Sequence, residues 1–177
     1  MRILIFLLLS THCFSQKTFV TNSDVSFFSA APLEDIAALS NKLEGVVDLE
    51  TGNFFFRIPI NTFIFPSSLM QKHFNEKYME SEKYSLSFFK GNFSEKINIL
   101  EDQQTTIIAQ GILNIHGVDR DVSIKTDLNI QNQLLEFKST FDVYLKDFKI
   151  KVPKIVRMNI ADTIQVSVSG LLKERSE

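Results

Sequence analysis

The chain has 177 residues, with 19 basic and 21 acidic side chains and a formal charge of −2, a balance that argues against a face built for nucleic acid or anionic membrane surfaces. A single cysteine, Cys13, excludes an intrachain disulfide, so stability has to come from packing. Seventeen phenylalanines stand beside three tyrosines and no tryptophan. Phenylalanine brings large apolar area without a polar atom that needs a partner, so the interior is either a solid Phe-packed core or a lined apolar cavity.

Met1-Arg2 precedes an apolar run, Ile3 to Leu9, and small residues follow at Cys13 and Ser15. This predicts a secretory signal peptide over residues 1–15 and one domain over residues 16–177. The run is shorter than the about 20 apolar residues a membrane helix requires, and no later stretch reaches that length. The mature protein is therefore expected to be soluble and periplasmic or secreted, without a thiol. Loss of Arg2 leaves 18 basic against 21 acidic residues, a charge of about −3. Lipid modification of Cys13 is the rival reading, and Ser10-Thr11-His12 matches it poorly.

Thr18 to Ser29, with Val25, Phe27 and Phe28, reads as the first strand, stopped by Pro32. Leu33, Ile36, Ala37 and Ser40 stand at helical spacing behind the acidic Glu34 and Asp35, which predicts a short helix over Leu33 to Ser40. Leu43 to Leu49 reads as a strand, followed by a turn from Asp48 to Asn53. The next strand, Asn53 to Ile60, places Phe54, Phe56, Ile58 and Ile60 on one apolar face. Pro59 cannot donate to a ladder, so an edge or a bulge is expected there, with a change of phase before Phe63 and Phe65.

Pro66-Ser-Ser introduces a second helix, Leu69 to about Tyr78, with Met70, Phe74 and Tyr78 on one face and His73 beside them. Such a helix suits the end of a barrel. Tyr84 to Phe93 reads as a strand ending at Gly91, and Phe93, Glu95, Ile97 and Ile99 predict another. Beyond the polar turn Glu101 to Gln104, Ile107, Ala109, Gly111, Leu113 and Ile115 alternate with their neighbours, as do Val122, Ile124, Thr126, Leu128 and Ile130. His116-Gly117 joins these two runs as a hairpin, with Asp119, Arg120 and Asp121 at its tip. A strand through Leu135, Phe137, Phe141, Val143 and Leu145 follows, then an irregular basic stretch from Lys146 to Ala161, then a last strand through Ile164, Val166, Val168 and Gly170.

Eight or nine short strands with two helices make the chain all-β and antiparallel. Closure into a barrel would remove the exposed edges, and a two-sheet sandwich would give almost the same pattern. Little here suggests chemistry. The two histidines expected in the mature chain, His73 and His116, lack the spacing that puts two zinc ligands on one face. His116 near Asp119 is compatible with a base and its orienting carboxylate, but no serine stands in a G-x-S-x-G context. The six glycines are scattered rather than gathered in a phosphate loop. Lys146, Lys149, Lys151 and Lys154 are interrupted by Asp147, Phe148, Ile150 and Val152 and read as a solvated segment. No enzyme activity, metal or cofactor is expected.

The stretch Gly111-Ile-Leu-Asn-Ile-His-Gly-Val-Asp-Arg-Asp-Val122 resembles the G-x-L-x-(I/L)-H-G-V-x-R-x-V segment of the YceI-like family of lipocalin-like β-barrels. Tyr84 to Phe88 resembles part of the family's Y-P-x-x-x-F segment, with Ser85 in place of proline. Leu145-Lys-Asp-Phe-Lys-Ile150 is a distant counterpart of its R-S-D-F-G segment, with Lys149 in place of glycine. The resemblance implies a roughly eight-stranded barrel with one or two short helices. It also implies an exported protein that binds an apolar lipid, such as a polyisoprenoid or quinone, in an elongated channel. Phe54, Phe56, Ile58, Leu113, Ile115, Phe137, Phe141 and Val166 are then the candidate lining residues, with Met70 and Phe74 at the mouth. The competing expectation is an envelope interaction module whose barrel is solid and holds no ligand. A third is an enzyme centred on His116.

Overall fold

The computed structural model describes residues 17–156 and 158–174. The expected signal peptide and Cys13 lie outside them. Nine antiparallel strands form one sheet: β1 (Lys17–Ser29), β2 (Ile36–Ser40), β3 (Glu44–Asp48), β4 (Asn53–Pro59), β5 (Leu86–Asn92), β6 (Gln103–Ile115), β7 (Val118–Gln131), β8 (Leu134–Tyr144) and β9 (Thr163–Glu174). The helix α1 (Ser68–His73) runs on into a π-helical turn, Phe74–Tyr78.

The long strand β1 carries the closure. One of its edges pairs with β9 from Thr18–Glu174 to Phe28–Gln165. Its other edge is divided, with Lys17, Thr18 and Phe19 on β3 and Val25 to Ser29 on β2. Between these halves the β1–β9 register shifts, and Asn22 there takes a positive φ of 46°. A bulge bends a strand and sharpens its twist, which lets one strand serve two partners. Eight strands thus form a ring of ladders, while β2 lies outside that ring and meets the next segment through a single bridge, Leu39 to Ile64. At that end the barrel wall is completed by the 3₁₀ turn Ile60–Thr62 and by α1 rather than by a ladder.

Two sequence expectations are corrected. Residues 36–40 form β2 instead of a helix, with Ala38 and Ser40 buried between exposed neighbours. Helical spacing and strand alternation coexist in Ile36-Ala-Ala-Leu-Ser40, and the unpaired edge of β1 decides between them by offering five ladder positions. The segment Phe93 to Ile99 is likewise not a strand. Its alternate side chains Phe93 and Ile99 are buried, but they cover the barrel end opposite α1. In place of a ladder, the Ile108 and Ser94 backbone N–H groups donate to the Glu95 carboxylate at 2.9 and 3.0 Å. These bonds hold that carboxyl below its usual range, the Ile108 N–H contributing most.

Two apolar clusters result. One, around Val47, Leu49, Phe54, Ile107, Ile130 and Leu135, fills the floored end, where Ile130 and Leu135 are 0 % and 1 % exposed. Burial of each contributes about 1.5–3 kcal/mol. The other, around Val25, Ile58, Phe63, Met79, Val143 and Ile150, lies at the helical end.

Candidate functional site

The inward side chains do not fill the space between these clusters. A cavity of about 620 Å³ runs along the inside of the barrel. Its origin is visible in the strands: Phe56, Phe141, Val166 and Val168 occupy inward positions and are packed against the core, yet remain only half-buried. All ten candidate lining residues border this space: Phe54, Phe56 and Ile58 from β4, Met70 and Phe74 from the helical segment, Leu113 and Ile115 from β6, Phe137 and Phe141 from β8, and Val166 from β9.

Phenylalanines organise both halves of the wall. Phe27 of β1, Phe63 and Phe65 of the segment after β4, and Phe74 pack on one another with ring centroids 4.9–5.8 Å apart. This group fastens the helical segment to the barrel. Further in, Phe54 meets Phe89 at 4.8 Å and Phe56 meets Phe137 at 5.6 Å. Ser67 caps α1 by accepting from the Met70 N–H, and Met70, Phe74 and Tyr78 then follow one another along the cavity at intervals of four. Burial raises the pKa of the Tyr78 phenol above its ordinary value. The mouth is marked by exposed or half-buried lining residues from three segments: Glu34 before β2, Ser67 and Leu69 at α1, and Val156 and Asn159 before β9.

Inside, polar groups are few. Thr126 and Ser139, buried on β7 and β8, share a hydrogen bond of 2.8 Å. Ser29 accepts from the Ala161 N–H at 3.0 Å. Ser87 of β5 is 8 % exposed, faces the cavity, and has no partner among the described residues.

Sequence reasoning missed several lining residues, among them Phe27 and Phe89. Each belongs to a Phe-Phe pair, in which alternation cannot say which ring points inward. The ladders can: Phe89 pairs with Phe56, while Phe88 stacks on the exposed Phe55 at 6.1 Å.

His116 stands outside the cavity lining. It occupies the β6–β7 turn with φ 54°, its Nδ1 3.2 Å from the Phe148 carbonyl and its Nε2 2.8 Å from Glu80. Its ring meets Tyr84 edge-on at 4.5 Å. The carboxylate beside it is therefore Glu80 rather than Asp119, which accepts from the Asn114 amide within the hairpin. Asp119, Arg120 and Asp121 lie along β7 instead of at the tip, because the turn is only His116-Gly117. With one ring nitrogen at the Phe148 carbonyl and the other at Glu80, His116 ties three segments together. His73 shares a 3.2 Å contact with Lys77. Among the described residues no group of three His, Cys, Asp or Glu side chains gathers.

A family model for the YceI-like domain matches residues 18–171. The chain belongs to the YceI-like domain family. The structure of a polyisoprenoid-binding domain from Saccharophagus degradans, implicated in plant cell wall breakdown, is similar to this YceI-like domain, with a TM-score of 0.77 at 11% identity over 92% of this chain and 100% of that one. BcnA of Burkholderia cenocepacia gives 0.70 at 14% identity over 85% and 96%. The YceI protein of Campylobacter jejuni gives 0.54 at 12% identity over 100% and 94%. At these identities the likeness is one of fold. Among curated proteins, none matches the chain. Family membership gives the position of Lys149 a meaning. It stands where the resembled segment has glycine, and it adopts the left-handed conformation, φ 58° and ψ 22°, at the end of the turn Leu145–Phe148.

Proposed function

We propose that this YceI-like chain is an exported carrier that sequesters a long apolar lipid inside its barrel, an isoprenoid-like chain being the best fit. The apolar cavity of about 620 Å³ carries this reading. Its size falls within the range of ordinary small-molecule sites, and its wall is mostly Phe, Leu, Ile and Val. A wall so largely apolar suits a ligand that is itself largely apolar. Each methylene taken from water contributes about 0.8 kcal/mol, so about ten methylenes supply about 8 kcal/mol, the scale of micromolar binding before ordering costs. The polyisoprenoid-binding domain that shares the fold supports the same class of ligand. A solid barrel acting only through its outer surface leaves the cavity without a role. Export rests on the segment Met1 to Ser15 and predicts a mature protein beginning near Gln16.

Mass spectrometry of an organic extract, taken from protein purified out of its native expression host, is the direct test. The expected result is a long apolar lipid near one molecule per chain, with Edman or mass analysis giving an amino terminus at or next to Gln16. A folded protein that yields no lipid and takes up none added to it would overturn the reading.

A further inference from the structure

The basic segment between β8 and β9 lies at the barrel mouth, and its lysines have no role in the barrel wall. Lys146, Lys149, Lys151 and Lys154 are exposed, and none forms an ion pair among the described residues. The segment is held at that end by the contact of His116 with the Phe148 carbonyl and by the Leu145 N–H, which donates to the Asp162 carbonyl at 3.0 Å. Beside Lys154 stands Ile155, 89 % exposed, and beyond it Met158, also exposed. The Met158 carbonyl accepts from the N–H of Leu33 at 2.9 Å, and Leu33 too is exposed. Leu69, in the first turn of α1, borders the cavity and still presents its side chain to solvent. Each of the three segments that mark the mouth thus offers a large apolar side chain to the outside. Single exposed apolar residues are ordinary, but a group of them around the opening of an apolar cavity marks an interaction surface.

We infer that this rim docks the barrel mouth on an anionic phospholipid bilayer, with Ile155, Met158, Leu33 and Leu69 entering the interface and Lys151 and Lys154 meeting lipid phosphates. This rests on the reading that the interior takes a lipid, and adds the surface from which the lipid comes. A long apolar chain that left a bilayer through water would expose its whole length on the way, whereas a mouth seated in the interface lets it pass directly. The lysines separate a bilayer from a protein partner. Protein interfaces are depleted in lysine. Lysines beside protruding apolar side chains suit a phospholipid surface, because their stems cover apolar area while the ammonium groups reach the phosphates. The formal charge of −2 belongs to the whole chain, while from Lys146 to Lys154 the only acidic residue is Asp147. Glu34 and Asp35, exposed beside Leu33, oppose the attraction in part, so apolar insertion has to supply the rest.

Cosedimentation of the native protein with vesicles of equal phosphatidylglycerol and phosphatidylcholine, and with vesicles of phosphatidylcholine alone, tests this. Tighter binding to the mixed vesicles is expected. Ile155→Asp should weaken that binding roughly tenfold, and Met158→Asp repeats the test at a second exposed position. Lys151→Ala and Lys154→Ala should each weaken it about fivefold while changing little on phosphatidylcholine alone. None of these four residues lines the cavity, so every variant should keep the native melting temperature and the uptake of geranylgeraniol from solution. A native protein that takes up geranylgeraniol but binds neither vesicle, equal binding to the two vesicle types, or vesicle binding that no variant weakens would overturn the inference while leaving lipid uptake intact. So would self-association through Ile155 in place of vesicle binding, which assigns the rim to a second copy of the chain. Failure of the native protein to take up geranylgeraniol would instead remove the proposed function on which the inference depends.

Discussion

Four backbone positions carry strain or close approach that the rest of the fold has to answer. Gly117, with φ 69°, turns the β6–β7 hairpin under the Tyr84 ring, and a Cβ there would overlap the ring. Gly117→Ala combines a disfavoured φ with that overlap and should cost about 2 kcal/mol or more in urea unfolding. Gly91 and Gly111 face each other across β5 and β6, where a Cβ on either would meet the opposite strand's backbone. Lys149 is the reverse case, a lysine in a left-handed site. Lys149→Gly should stabilise the protein by about 0.5–1 kcal/mol, the left-handed penalty less the added chain entropy, read as a higher urea midpoint at constant slope. In the sequence, Gly117 could be recognised from its place between two alternating runs. The strain at Lys149 could not, because the penalty depends on a dihedral angle and only the resemblance marked the position.

Among the elements, the hairpin β6–β7 and the strands β4, β8 and β9 were readable because each keeps a period of two over at least four residues. The two misreadings have a common physical cause. In residues 93–99 Phe93 and Ile99 are buried as the alternation requires, and in residues 36–40 Ala38 and Ser40 are buried between exposed neighbours; in both segments the identity of the partner decides the backbone. The edge of β1 draws the first into a ladder, and the barrel floor draws the second out of one. Glu95 is the specific reason that the floor segment holds its place on β6. Its carboxyl titrates lower when folded, so its contribution is complete above the unfolded carboxylate value of about 4.3 and is lost as the pH falls through the lower folded value. Glu95→Gln should therefore lower the denaturant midpoint at pH 7, with the difference shrinking as the pH is taken down through the lowered range of the folded carboxyl. Because the side chain is exposed, the effect is expected to be small and reduced further by salt.

At the scale of the whole molecule, the division between a packed floor and a lined cavity makes two substitutions behave differently. Ile130→Ala removes a fully buried side chain from the floor cluster and should cost about 2–5 kcal/mol. Val166→Trp adds volume at a half-buried wall position opposite Phe141. It should change stability by about 1 kcal/mol or less while reducing co-purified lipid several-fold, because the ring takes space that the ligand needs. Periodicity showed which side chains point inward but not the volume left among them, since that depends on how far the strands stand apart. The sharing of β1 among β2, β3 and β9 also governs how the barrel comes into being. β1, the first strand of the sheet, has its longest ladder with β9, the last, so no ring exists until β9 is in place. Until then β1 and β8 present bare edges, and closure has to recruit the most distant contacts in the sequence. That topology places folding in the slow range of milliseconds to seconds and makes β9 the strand whose loss exposes the chain to self-association.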